Sequence, residues 1–135
     1  MARYLVDTNH LSPLVTYGHP LRERVLIQLN QGNEFAIPAP VLTEFLFGIL
    51  LVPRAKANQM EWERLRDAFG YYAIGREEAE EAAALQIALR LQGRQLATVD
   101  ALIATLAVRN GLILLTTDRD FEPIRQLQRE NWLAN

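Results

Sequence analysis

The chain contains no cysteine, which rules out a disulfide framework or a thiolate metal site and agrees with a reducing cytosol. It also lacks any long hydrophobic run. The longest candidate, Val41 to Val52, falls short of the roughly 18 to 20 apolar residues that a spanning helix needs, and it contains Glu44. The opening stretch Met1 to Val6 is too short an apolar run for a secretory signal, so the expected location is the cytoplasm, with no membrane contact. Basic excess is missing too: Lys and Arg number 14 against 16 Asp and Glu, for a net charge of −2. That balance excludes a protein that coats nucleic acid electrostatically, although the basic residues that remain can still contact phosphates. All but Lys56 of them are arginine, whose planar fork suits phosphate and carboxylate alike. Only His10 and His19 represent histidine, and neither has metal-ligand spacing with a partner. There is no Gly-rich phosphate loop, no Walker sequence and no Ser-centred elbow.

What is present reads as one folded domain over residues 1–135. Half of the residues are hydrophobic and 22% are charged, enough apolar material for a real core. Arg3 to Val6 reads as a first strand buried on both faces, ending at Asp7. A helix follows His19-Pro20, with Val25, Leu26 and Leu29 at helical spacing and Gly32 as its stop. Glu34 to Ile37 is a second short strand. Pro40 then opens a helix whose predicted stripe is Leu42, Phe45, Leu46 and Ile49. After Pro53 another helix places Trp62, Leu65 and Phe69 on one face, and Tyr71 to Ile74 has strand composition. Glu77 to Gln92 is helical, with acids in its first turn. Thr98 can cap a further helix with Val99, Leu102, Ile103 and Leu106 as its apolar face. Leu112 to Thr116 is the clearest buried strand, and Asn131 to Ala134 is a candidate edge strand. Strands alternating with helices imply an α/β fold with a mostly parallel sheet.

The crevice of an open parallel sheet lies beyond the carboxyl ends of its strands. Asp7 directly follows the first strand, and Asp118 follows the strand Leu112 to Thr116 after one threonine. Glu44 and Asp100 fall in the first turns of helices that can face the same edge. Converging carboxylates repel, so they take up protons or require a cation, and a hard divalent ion with oxygen ligands resolves the conflict. The chemistry that such a site favours is hydrolysis of phosphate esters.

Each acid also has a plainer reading. Asp7-Thr8-Asn9 can simply cap the next helix, and Asp100 can complement a helix dipole. Asp118 and Asp120, flanking Arg119, can belong to an ordinary turn with a local salt bridge; of the two, Asp118 is nearer the strand end and is the favoured ligand. Glu44 resists a structural explanation most, because it interrupts an apolar segment, with Val41, Phe47 and Leu51 suggesting an apolar wall beside it. His10 reads as packing or surface on the first helix, and His19 as part of the turn before Pro20.

Taken in order, Leu5-Val6-Asp7-Thr8-Asn9, Thr43-Glu44 with Gly48, Thr98-Val99-Asp100-Ala101-Leu102-Ile103-Ala104 and Leu115-Thr116-Thr117-Asp118-Arg119-Asp120-Phe121 resemble the PIN-domain nucleases, in particular the VapC-like toxins of prokaryotic toxin–antitoxin pairs. The resemblance covers nearly the whole chain. It implies a three-layer α/β/α fold and endonucleolytic cleavage of RNA, with Mg²⁺ or Mn²⁺ held by Asp7, Glu44, Asp100 and Asp118. It further implies support of that site by Asn9 and Thr116, Asp120 as an outer ligand, a homodimer, and a small antitoxin whose segment covers the site. The apolar surface of Val41 to Val52, with Trp62 and Phe69, is the expected partner face.

Two other functions compete. A phosphatase of the haloacid dehalogenase type also uses an aspartate after a first strand, but it needs a second aspartate where this chain has Asn9. A non-catalytic RNA-binding module would be signalled by the loss of an acid, and all four are present.

Overall fold

Tyr4, Leu5 and Val6 are buried one after another, so the strand that holds them, β1 (Arg3–Val6), is covered on both faces, as a central parallel strand must be. The computed structural model describes residues 1–134. After β1 come α1 (Thr8–Leu11), a 3₁₀ turn at Ser12–Val15, α2 (Pro20–Asn30), β2 (Glu34–Pro38), α3 (Ala39–Leu50) and α4 (Ala55–Leu65). A second 3₁₀ turn, Arg66–Ala68, leads to β3 (Gly70–Tyr72), α5 (Arg76–Leu91), α6 (Thr98–Asn110), β4 (Ile113–Leu115), a third turn at Arg119–Phe121, and β5 (Arg129–Glu130).

The strands form one parallel sheet in the order β3-β2-β1-β4-β5. Leu5 pairs with Ala36 on one side and with Leu114 on the other, which puts β1 at the centre. From β1 the chain moves outward through β2 to β3, then crosses back to lay β4 on the far side of β1. The winding therefore reverses between β1 and β4, and the switch point leaves a crevice at the carboxyl ends of these two strands. Helices cover both faces, giving three layers. The side of α1, α3 and α4 is knit by Phe45, Trp62 and Phe69, with ring centroids 4.8 and 5.8 Å apart. On the other side α6 packs against α5, and Ala101, Ala104 and Ala107 are fully buried because small side chains let the helices approach closely. Arg109 ties the two together through Glu77, Glu78 and Glu81.

Several elements differ from their sequence prediction. The edge strand is Arg129–Glu130 rather than Asn131 to Ala134, because the backbone of 128–130 accepts from Leu114 and Thr116, while Trp132 and Leu133 pack on the core instead. Charged residues on a two-residue edge also suit its exposure. The third strand ends at Tyr72, two residues earlier than predicted. The α3 helix begins one residue before Pro40, and its deepest row is Val41, Phe45 and Ile49, with Leu42 and Leu46 only half-buried. Phe69 lies beyond α4, at the entry to β3. Trp62 and Phe69 are both in the core, so they are not available to a partner. On α6, Thr98 is the first helical residue rather than its cap, and Val99 is exposed. No helix among the described residues is long and apolar enough to cross a membrane.

Candidate active site

Asp7 is the first residue past β1, and its N–H still donates to Leu115 O at 3.1 Å, extending the sheet ladder into the crevice. Its carboxylate is buried. Oδ1 accepts from the Thr8 N–H at 2.9 Å, while Oδ2 accepts from the Thr116 hydroxyl at 2.7 Å and from the Asn9 amide at 3.2 Å. Asp7 therefore does cap α1, and the same geometry fixes its second oxygen at the switch point; the capping and site readings describe one arrangement.

Thr116, at the end of β4, is the hub of the opposite wall. Its hydroxyl donates to Asp7 and accepts from the Asp118 N–H at 3.0 Å, which folds the chain so that Asp118 turns back toward the crevice. Asp118 Oδ1 then accepts from the Asp120 N–H at 2.8 Å, closing the turn that starts the Arg119–Phe121 helix. No carboxylate of this turn is paired with Arg119, so the local salt bridge allowed by sequence does not form among the described residues. Asn9 spans the crevice: its Nδ2 reaches Asp7 Oδ2 and Thr116 Oγ1, and its Oδ1 accepts from the Thr117 N–H at 3.1 Å.

Asp100 enters from the first turn of α6 and is half-buried. Oxygens of Asp100, Asp118 and Asp120 lie within 4.8 Å of one another. Burial pushes the Asp100 carboxyl up to about 6, and the charges of Asp118, Asp7, Asp120 and Glu44 push in the same direction. All five acids thus share one electrostatic neighbourhood. Asp120, expected as an outer residue, sits in the tightest group with Asp100 and Asp118, while Asp7 and Glu44 lie outside that group and act on Asp100 through their charge, Asp7 more strongly than Asp120 and Glu44 least. Glu44 is exposed on α3, flanking the buried row of Val41, Phe45 and Ile49; the apolar wall expected around it does not enclose it, since Phe47 and Leu51 are each 68% exposed. The group offers only hard oxygen donors and an excess of negative charge, the donor set that suits a divalent cation of the Mg²⁺ class.

Beside Asp120 opens a cleft of about 520 Å³ lined by Gln86, Arg90, Arg94, Leu96 and Thr98. The Gln86 amide holds its floor, donating to Leu96 O at 2.9 Å and to Thr98 Oγ1 at 3.2 Å. Neither Arg90 nor Arg94 is ion-paired among the described residues. Arg90 lies in the last turn of α5, and its place beside Asp120 depends on the packing of α5 against α6, which no local sequence signal records. A separate cleft of about 310 Å³ lies at the opposite edge of the sheet, around Arg3, Glu34 and Gly70, and holds none of the site acids.

The PIN domain family model matches residues 4–127. The tRNA(fMet)-specific endonuclease VapC of Shigella flexneri is 30% identical over 139 residues, covering 98% of this chain and 99% of that protein. Among solved structures, VapBC2 from Rickettsia felis bound to a DNA fragment from their promoter matches with a TM-score of 0.81 at 21% identity, over 96% of this chain and 98% of that one. DNA-bound VapBC from Salmonella typhimurium matches with a TM-score of 0.79 at 22% identity, over 98% and 99%. With its acids gathered at the sheet's switch point and a relative matched from end to end, the chain belongs to the PIN-domain family and is one of its VapC-like nucleases.

Proposed function

We propose that the chain is a cytoplasmic endoribonuclease that works with Mg²⁺ or Mn²⁺ and acts as the toxin of a toxin–antitoxin pair. The observation that carries this reading is the group of Asp100, Asp118 and Asp120 oxygens within 4.8 Å of one another, next to the buried Asp7 carboxylate. Asp7, Glu44, Asp100 and Asp118 are the proposed ligands, with Asp120 as a fifth acid able to join them. A cation held there supplies the acidity that makes a hydrolytic water reactive near neutral pH and the charge that offsets a departing oxygen.

The chain's own residues do the rest. Thr116 and Asn9 hold Asp7 Oδ2 in one position, so the site is formed before substrate arrives. Arg90 and Arg94 receive the RNA backbone beside the acids, binding phosphates that the carboxylates alone would repel. The Shigella relative acts on tRNA(fMet), which makes a structured RNA the first substrate to try.

The chain is further proposed to form a homodimer through the exposed apolar residues Phe47, Leu50, Leu51 and Met60, and to be inhibited by an antitoxin that brings a cationic side chain to the acids. The deciding experiment is cleavage of tRNA by the purified protein with Mn²⁺ or Mg²⁺, against EDTA and against the Asp7→Asn variant. Cleavage that survives both EDTA and the substitution would refute a cation-dependent site on Asp7.

A further inference from the structure

We propose that His10 is a positioning residue for the Asp7 carboxylate, acting through Asn9 and braced by the carboxy-terminal segment at Trp132. The inference rests on the reading of Asp7 as a cation ligand.

His10 is 1% exposed, yet both of its ring nitrogens are committed. Nε2 lies 2.9 Å from the Trp132 backbone nitrogen, which can only donate, so Nε2 is the unprotonated acceptor. The neutral ring must then carry its proton on Nδ1, which lies 2.7 Å from Asn9 Oδ1. Burial, helped by the nearby Arg24 charge, lowers the His10 pKa to about 4, which keeps the ring neutral around pH 7. The Nδ1–H therefore points at the oxygen of the Asn9 amide.

That proton helps to decide which way round the amide sits. Two donors, His10 Nδ1–H and the Thr117 N–H, converge on Asn9 Oδ1. The NH₂ end is left facing Asp7 Oδ2 at 3.2 Å and Thr116 Oγ1 at 3.4 Å. A reversed amide would set its oxygen against the Asp7 carboxylate and face two donors with two more. The far end of the relay is firmly held. The Trp132 ring lies 4.9 Å from Tyr4 and 5.8 Å from Phe35, with the Arg24 guanidinium 3.8 Å from its centroid. A histidine that only filled space would need neither bond, and an apolar side chain would fill the same site at lower desolvation cost.

Two substitutions separate positioning from packing. His10→Asn places an amide nitrogen near Nδ1, keeping the donor to Asn9 and losing the acceptor for Trp132. His10→Gln places an amide oxygen near Nε2, keeping the Trp132 bond and losing the donor to Asn9. Both are compared with wild type by the Mn²⁺ concentration that half-saturates the rise in melting temperature, by melting temperature in EDTA, and by kcat and KM on tRNA. The expected result is a crossover. His10→Gln should melt near wild type in EDTA but need about tenfold more Mn²⁺, with a loss in kcat and little change in KM; His10→Asn should melt lower while its Mn²⁺ requirement stays within about twofold. In an Asn9→Ala background, His10→Gln should add nothing, because the relay is already cut. A Mn²⁺ requirement that merely follows melting temperature across the variants, or an undiminished His10→Gln effect in the Asn9→Ala background, overturns the relay. His10→Gln matching a wild type that binds Mn²⁺ and cleaves RNA overturns the His10 role alone. A wild type that does neither overturns the function proposed above, and the His10 role with it.

Discussion

The Thr116 hydroxyl donates to Asp7 Oδ2 at 2.7 Å, joining the ends of two neighbouring strands across 109 residues of sequence. The Thr116 hydroxyl oxygen in turn accepts from the Asp118 N–H, so one buried side chain sets the position of two acids. Thr116→Val keeps the shape and removes the hydroxyl. It should cost about 1 to 3 kcal/mol in urea unfolding, because a buried carboxylate oxygen loses its shortest donor. Cleavage should fall about 10- to 100-fold, as expected when a ligand's supporting bond is removed. Wild-type activity in Thr116→Val would show that the bond serves folding only.

Asp7→Asn, Glu44→Gln, Asp100→Asn and Asp118→Asn should each abolish or greatly reduce cleavage while leaving the protein folded. Circular dichroism and melting temperature in EDTA check the fold, and the Mn²⁺-induced rise in melting temperature checks binding. Asp120→Asn should also reduce Mn²⁺ binding, since its carboxylate belongs to the tightest group. Glu44→Gln should be milder than Asp100→Asn, because Glu44 is exposed and the last of the charges acting on Asp100. Full activity at any of these positions removes that residue from the site.

Asp100 carries a pH signature in the cation-free protein. Its folded pKa, about 6, lies above the ordinary 3.8, so the native state binds its proton more tightly than the unfolded chain does. The associated stability is fully present below pH 3.8 and is lost as pH rises through 6. In EDTA, Asp100→Asn should therefore melt above wild type at pH 7.5, and the gap should shrink as pH falls from 6 to 4. A gap independent of pH would show that neither burial nor the neighbouring acids raise the Asp100 carboxyl in the folded protein. With Mn²⁺ present, affinity should rise through the same window, because the cation requires the ionised form.

Arg90→Ala and Arg94→Ala should raise KM for RNA several-fold and leave kcat and Mn²⁺ binding nearly unchanged. For single strands each phosphate contact contributes about 0.7 to the slope of log affinity against log salt. The double variant should thus flatten that slope by about 1.4. An unchanged slope places the RNA elsewhere.

Phe47 and Leu51 are each 68% exposed on or just after α3, and Phe47→Asp with Leu51→Asp should convert a dimer to a folded monomer in light scattering. A wild type that is monomeric at micromolar concentration excludes the dimer. Substitution of Trp62 or Phe69 tests something else, since both are core residues whose truncation to alanine should cost about 3 to 5 kcal/mol of stability.

The sequence by itself determined the α/β class, the buried first strand and the place of Asp7 and Asp118 just after strands. Local signals suffice for these: runs of successive apolar residues, prolines and glycines at helix ends, and acids at strand termini. The short motifs around the acids were enough to indicate the family. Tertiary structure alone decided how the acids are grouped, because the distances among Asp100, Asp118 and Asp120 depend on α6 meeting the turn after β4. It also decided which apolar residues are core and which are surface. Trp62 and Phe47 look alike as apolar residues on helices, but one packs between Phe45 and Phe69 in the core and the other is exposed. His10 is the clearest case. Nothing local distinguishes a packing histidine from a relay, and its bond to Trp132 spans 122 residues. Hydrogen bonds across such separations follow from where the sheet brings its strand ends, and periodicity along the chain carries no record of them.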